Sequence, residues 1–350
     1  MNILLVSTSV GPLGSGLGGG VELTLKNVAL ALQQRGQGVR VLAPLGSQLS
    51  DIPLTAITGA WQTPMQGEGR RGPVSFAADG VLVALWEQAR QWQDQYDLIL
   101  NFAYDWLPFY LTPFFTTPLA HLVSMGSLTD AMDRVIGQVY ERSPQAIAFH
   151  SRAQAATFGL TGARCLGNAL DLREYEFQPQ PQNRVAWVGR IAPEKALEDA
   201  IAACEQKNLP LHIYGKLQDP EYWQALQNQF PQAHCTYCGF LSTSDLQRQL
   251  GLSRALLVTP RWLEAFGNVA MEALACGVPV IAYRRGGPAE IVQDGITGFL
   301  VEPDSVAGLA AALTRIDTID RQACRRQAEA EYSLSAFGDR LWDWFTDLLS

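Results

Sequence analysis

The sequence predicts an α/β protein of two doubly wound sheets, one in each half of the chain. Three observations carry this. Short apolar runs alternate with amphipathic helical stretches along the chain. A glycine-rich loop follows the first apolar run and opens a helix, as at the start of a parallel nucleotide-binding sheet. The alternation restarts at residue 184, after a polar stretch over 172–183 that carries Pro179 and Pro181. The 350 residues suffice for two domains. The expected division is 1–172, completed by a closing helix over 335–350, against 173–334, with a cleft between the halves.

In the first half, residues 2–7 form the first expected strand. The glycines over 11–20 would let backbone amides approach a phosphate, and the helix over 21–35 would add its positive dipole end. Leu23, Val28, Leu30 and Leu32 give that helix an apolar stripe; Gly36 stops it, and 39–43 is the second strand. Residues 51–71, rich in Gly, Pro and Thr, are expected to be irregular. A helix over 75–93, strands over 96–101 and 118–124, a helix to about 142, and strands over 146–150 and 163–167 complete the half. Tyr104, Asp105 and Trp106 follow a strand's carboxyl end, where open sheets bind ligands. Core packing is the simpler reading of Trp106, whereas for Asp105 binding and a plain surface role fit equally well. His121, inside a strand, is expected to be a core histidine.

The second half repeats the pattern. A strand over 184–188 ends in Gly189–Arg190, and Pro193-Glu194-Lys195 opens a helix to 203. Strands over 211–214, 235–240 and 255–259 alternate with helices over 219–230 and 244–250. Elements over 278–283, 289–292, 297–301 and 305–313 continue the series, and the closing helix carries Trp342, Trp344 and Phe345.

Composition excludes several classes. A formal net charge of −8 argues against general nucleic-acid binding. No basic amphipathic stretch and no apolar run of about 20 residues stands out, so stable membrane association is not expected. The N-terminal apolar run lacks a basic leader and reads as a buried strand, which makes a cytoplasmic protein the expectation. Cys235 and Cys238 make a lone C-x-x-C without a second ligand pair; reduced thiols, and no metal, are expected.

The stretch over 264–280 is the most informative. Glu264 and Glu272 flank a helix start at Gly267–Asn268, and Gly277 with Pro279 ends the helix. A helix N-terminus holds anions, and carboxylates accept hydrogen bonds from sugar hydroxyls. Two solvated glutamates on a surface helix fit the pair alone equally well. Gly189, Arg190 and Lys195 at another strand end add the cations that a diphosphate needs.

These residues resemble glycosyltransferase family 4: Gly189-Arg190…Glu194-Lys195, Glu264-x-Phe-Gly-x4-Glu272-Ala-x-Ala-x-Gly-x-Pro-Val, and Glu290-Ile-Val-x-Asp-Gly-x-Thr-Gly-Phe-Leu-Val. Gly19-Gly20-Val21-Glu22 and Gln33-x-Arg35-Gly36 look like that family's first loop and helix. The resemblance implies a GT-B fold of two Rossmann-like domains facing a central cleft, and retaining, metal-independent transfer without an added cofactor. Arg190 and Lys195 would hold the donor diphosphate and, with Glu264 on the sugar hydroxyls, form the catalytic set. Phe266, Gly267 and Asn268 would contact sugar and phosphate through their backbone. Glu272 would bind the ribose. Gly19, Gly20, Gly189 and Phe240 complete the nucleotide-sugar set. The leaving phosphate would take the acceptor proton in a front-face attack, so no protein base is needed.

The stretch over 7–24 is similar to the pteridine glucosyltransferases that use UDP-glucose and tetrahydrobiopterin. That likeness implies UDP-glucose as donor and a small flat acceptor such as a pterin, with Tyr104, Asp105 and Trp106 placed to stack and hydrogen-bond. Three positions depart from the family pattern. Ser124, kept among the acceptor-side residues, stands where many members carry a His; Lys195-Ala196 replaces Lys-Gly; and Asn168-Ala-Leu-Asp171 replaces Asn-Gly-x-Asp. Three other functions fit parts of the pattern: transfer to a lipid or saccharide, nucleotide-sugar binding without turnover, and dinucleotide-dependent hydride transfer. The last rests on Gly14, Gly16 and Gly19 as G-x-G-x-x-G, but the loop starts late after the strand, and Ala43-Pro44 offers no acid for a ribose.

Overall fold

The computed structural model describes residues 1–15, 19–62 and 69–350. Gly16 of the G-x-G-x-x-G pattern and residues 63–68 lie outside the described residues. The chain forms two compact units, Met1–Ala169 with Leu334–Ser350, and Leu170–Ser333. Both are Rossmann-like parallel sheets, as the alternation predicts.

The first unit has strands β1 (Asn2–Val6), β2 (Gly38–Pro44), β3 (Leu54–Ile57), β4 (Leu98–Asn101), β5 (Leu119–Leu122), β6 (Ile147–Phe149) and β7 (Arg164–Cys165). Their order is β3-β2-β1-β4-β5-β6-β7, all parallel. A strand sends alternate side chains to opposite faces. Ile3 and Leu5 accordingly join one core with Val28 and Leu32 of helix α1 (Gly20–Gln34). Leu4 and Val6 join another with Leu82, Leu85 and Trp86 of α2 (Val81–Trp92). Both faces are covered, which explains why the inner strands are continuous apolar runs. Further helices are α3 (Trp106–Leu111), α4 (Asp130–Arg142) and α5 (Arg152–Ala156).

The closing helix, Leu334–Leu349, belongs to this unit. Phe337, Leu341, Trp344 and Phe345 are fully buried beside α1 residues. Trp344 Nε1 donates to the Gln145 carbonyl at 2.6 Å, and Arg340 Nε to that of Leu166 at 2.7 Å. Ion pairs Arg35–Asp339 and Arg164–Asp347 flank the helix.

The second unit has β8 (Val185–Val188), β9 (Leu211–Tyr214), β10 (Cys235–Tyr237), β11 (Ala255–Val258), β12 (Val280–Tyr283) and β13 (Gly298–Val301), in the order β10-β9-β8-β11-β12-β13. Its helices are α6 (Leu197–Gln206), α7 (Pro220–Gln229), α8 (Thr243–Gly251), α9 (Asn268–Ala275), α10 (Pro288–Ile291), α11 (Val306–Arg315) and α12 (Arg321–Glu331). Among the described residues, no helix is long and apolar enough to cross a membrane.

Four local expectations are corrected. The stretch expected to be irregular over 51–71 contains β3, a half-exposed edge strand whose Thr55 and Ile57 favour extended backbone. The helix expected over 75–93 starts only at Val81, because Gly80 is extended at its N-cap. The helix opened by Pro193 is split: Pro193–Lys195 is a 3-10 turn, and Ala196 then takes a left-handed conformation with φ 46° before α6 begins. The expected linker over 172–183 is packed onto the second unit. Tyr175 is buried, and Gln178 donates to the Cys276 carbonyl at 3.1 Å. The Phe177 ring occupies the space that a side chain at Gly277 would need.

α12 holds that segment down, although no apolar stripe announces it. Arg325 Nη1 donates to the carbonyls of Tyr175 (2.8 Å) and Ala275 (2.7 Å). Arg321 donates to those of Gln178, Gly251 and Ser253 at 2.7–2.9 Å. His121 is a core histidine as expected: fully buried, bonded to Asn101 and Thr112, stacked on Phe109, with burial pushing its pKa down to about 3.

Trp344→Ala should lower the stability of the first unit by about 3–5 kcal/mol, because it opens a large cavity and orphans the Gln145 carbonyl. Urea unfolding followed by circular dichroism measures this. A shift below about 1 kcal/mol would show that the closing helix does not complete this core.

Candidate nucleotide-sugar site

In an open parallel sheet, ligands bind where successive connections leave in opposite directions. In the second unit that point lies between β8 and β11: β8 leads on to β9 at one side, while β11 pairs at the other. The carboxyl end of β8 delivers Gly189 and Arg190, and that of β11 delivers residues 259–264. Gly189 donates to the Tyr214 carbonyl at 3.0 Å, and a side chain there would crowd Trp187.

Lys195 and Glu264 meet at this point. Lys195 Nζ donates to Glu264 Oε1, with the side chains only 18% and 12% exposed. Trp262 completes the group: its Nε1 donates to the same oxygen at 3.4 Å, and the ammonium lies 5.2 Å from the centre of its ring. Glu264 Oε2 takes no hydrogen bond from the described residues. Arg190 is engaged beside them, by Glu194 at 3.1 Å and Gln218 at 2.7 Å.

The loop carrying Glu264 is braced from three sides. The Thr259 hydroxyl accepts from Trp187 Nε1 and reaches the carbonyls of Lys195 (3.1 Å) and Ala196 (3.0 Å). Arg261 pairs with Glu198 at 2.7 Å and Asp199 at 3.3 Å, at the start of α6; Tyr222 and Tyr283 hold those two carboxylates in turn. Arg285 donates to the Pro260 carbonyl at 2.9 Å. Gly287 N donates to the Glu264 carbonyl at 2.9 Å, and a Cβ on Gly287 would stand 2.2 Å from the Phe266 carbonyl oxygen. Gly267, at φ 103°, is the left-handed N-cap of α9 and packs on Pro288. This geometry presents the N-terminus of α9, at Asn268, beside the loop. The Phe266 side chain packs edge-on to Tyr332, which fits a role through its backbone alone.

Glu272 sits one turn into α9, half-buried. Loss of solvation pushes its pKa up to about 7, and the Tyr175 hydroxyl, donating at 3.4 Å, opposes the rise. Phe240 is 73% exposed, in the loop after the edge strand β10. Sequence reasoning missed Trp262, Arg261 and Tyr175.

The first unit has its own switch point, between β1 and β4. There Ser9 Oγ bonds to Asp105 Oδ2 at 3.2 Å and Gln62 Oε1 at 2.8 Å. Trp106 is half-buried and stacks on Tyr110, with ring centres 4.4 Å apart; Ser124 is half-buried. Tyr104 corrects the sequence expectation. It is 8% exposed, packs with Phe109, Met132 and Val135, and its hydroxyl accepts from Leu128 N at 3.3 Å. Its ring is a core element and cannot stack on a ligand. Gly20 opens α1 and Gly19 is its N-cap at φ 59°; Gly14 N already donates to Glu22 at 2.6 Å. Among the described residues, no cluster of His, Cys, Asp and Glu could hold a metal ion.

Residues 171–332 match the family described as Glycosyl transferases group 1. The chain is 32% identical over 199 residues to Mycobacterium tuberculosis glycogen synthase, which covers 54% of this chain and 47% of that protein. It is 29% identical over 247 residues to D-inositol 3-phosphate glycosyltransferase 2 of Catenulispora acidiphila, covering 63% and 57%. The chain thus spans about half the length of the curated relatives it matches. Among solved structures, Anabaena HepE in complex with UDP superposes with a TM-score of 0.78 at 20% identity, covering 99% of this chain and 100% of that one. This likeness shows a shared two-sheet α/β fold, the one expected as GT-B.

A carboxyl group with a raised folded-state pKa binds its proton more tightly in the folded than in the unfolded chain. The contribution of Glu272 to stability therefore falls as pH rises from about 4.5 to about 7, and then levels off. Glu272→Gln removes this dependence. The variant should match wild type near pH 4.5 and exceed it at pH 8 by on the order of 2 kcal/mol for the second unit, read by urea unfolding at both values. Equal differences at the two pH values would contradict it.

Proposed function

We propose that this protein is a retaining glycosyltransferase that moves glucose from UDP-glucose to a hydroxyl of a small acceptor. The observation that carries this is the Lys195–Glu264 pair at the sheet's switch point, beside the N-terminus of α9. It offers a cation for a diphosphate and a carboxylate with one free oxygen for a sugar. The match to the group 1 transferases and the likeness to HepE, solved with UDP, support it.

In this reading Lys195 and Arg190 hold the donor diphosphate, the α9 backbone supports it, and Glu272 accepts from the ribose. The acceptor oxygen attacks the anomeric carbon on the face that UDP leaves. The bond from that carbon to the acceptor oxygen forms as the bond to the phosphate oxygen breaks, and the departing phosphate takes the acceptor proton. The cations and helix dipole favour the charge that grows on the leaving group. Gly19 and Gly20 are assigned to the donor and Asp105, Trp106 and Ser124 to the acceptor. A pterin such as tetrahydrobiopterin is the acceptor class proposed. A saccharide acceptor is the second reading, favoured by the flat surface of Trp106 stacked on Tyr110. The protein is proposed to act in the cytoplasm, without a metal.

Incubation with UDP-glucose and a panel of pterins and oligosaccharides, followed by mass spectrometry, should give a product carrying one added hexose, in the α configuration by NMR. Lys195→Ala and Glu264→Ala should each lower turnover by about 100-fold or more while keeping the circular dichroism of the wild type. Full activity in both variants would overturn the assignment.

A further inference from the structure

We infer that Glu264 makes the site distinguish the sugar-bearing nucleotide from the bare nucleotide, by competing with the diphosphate for Lys195. The inference rests on the donor reading above and adds to it a role in product release. Three features carry it. The ammonium is already bound, to Glu264 Oε1 and over the Trp262 ring, with little exposure to water. Both donors to Glu264 fall on Oε1, which leaves Oε2 as an acceptor for hydroxyls. The loop carrying Glu264 is braced by Arg261, Arg285 and Gly287, which keeps its backbone in place beside Lys195.

The physical consequence differs between the two ligands. UDP must draw Lys195 from its partner, or lie near a negative charge that this lysine still neutralises. Either way a poorly hydrated carboxylate loses its counter-ion or faces a like charge. UDP-glucose presents a diphosphate with one negative charge fewer, together with sugar hydroxyls, which donate to Glu264 and replace what Lys195 gave. Glu264 therefore disfavours the product and not the donor. After transfer the hydroxyls leave with the acceptor, Glu264 recaptures Lys195, and UDP is released.

Calorimetric titration of UDP and UDP-glucose into wild type, Glu264→Gln and Glu264→Ala tests this. Wild type should bind UDP-glucose more tightly than UDP. Both variants should bind UDP about 10-fold more tightly than wild type, through loss of a like charge at close range, with no gain for UDP-glucose. Unchanged or weaker UDP binding in the variants, with wild type still binding UDP-glucose, would overturn the inference and leave the donor reading standing. Wild type that binds neither nucleotide would overturn both.

Discussion

The parallel pairing of β8 with β11 is the constraint on which the site depends. It places the carboxyl ends of two strands side by side, and so joins Lys195 and Glu264 although they lie 69 residues apart in sequence. Neither residue has a local reason to be where it is. Lys195 closes a single 3-10 turn, and Ala196 after it sits in a left-handed conformation that an L-residue adopts at a cost of about 1–2 kcal/mol. The Thr259 hydroxyl, from the end of β11, holds the carbonyls of both. The strained turn is thus fixed by the same strand that supplies Glu264.

A pair of partly buried charges adds little net stability, because desolvation offsets most of their attraction. What the pair provides is geometry. Arg261, Glu198, Asp199, Tyr222 and Tyr283 form a larger ionic network around it, and Arg285 and Gly287 hold the loop from the other side. Glu272 lies on a separate branch. Its surroundings are kept by α12, whose Arg325 holds the backbone at both Tyr175 and Ala275. The two glutamates therefore belong to different supporting frames joined by α9.

Much of this was legible from the chain. The inner strands were, because those of a covered parallel sheet must be short and apolar on both faces, whereas the half-exposed edge strand β3 was not. Glu264, Gly267, Asn268 and Glu272 were, because a helix start followed by a short apolar helical stripe, with a glutamate on either side of that start, is a local signal. Trp262 was not: its role lies in contact with a lysine from a distant segment. α12 was not, because only Cys324, Gln327 and Ala328 are buried along it, and its hold on the unit comes from the half-buried Arg321 and Arg325 bonded to carbonyls. Tyr104 misled for a related reason. Asn101 bonds both backbone groups of Ala103 at 2.9 Å and turns the chain after β4, which sends the next ring into the core. Position after a strand end is visible in sequence, whereas the direction of the turn is not.

The central claim is that the switch point of the second unit holds a nucleotide sugar. Amide hydrogen exchange measured with and without saturating UDP-glucose tests it most directly. The account requires slowed exchange in peptides covering 189–197 and 259–275, with the largest change around the start of α9. Unchanged exchange across 259–275 would contradict it.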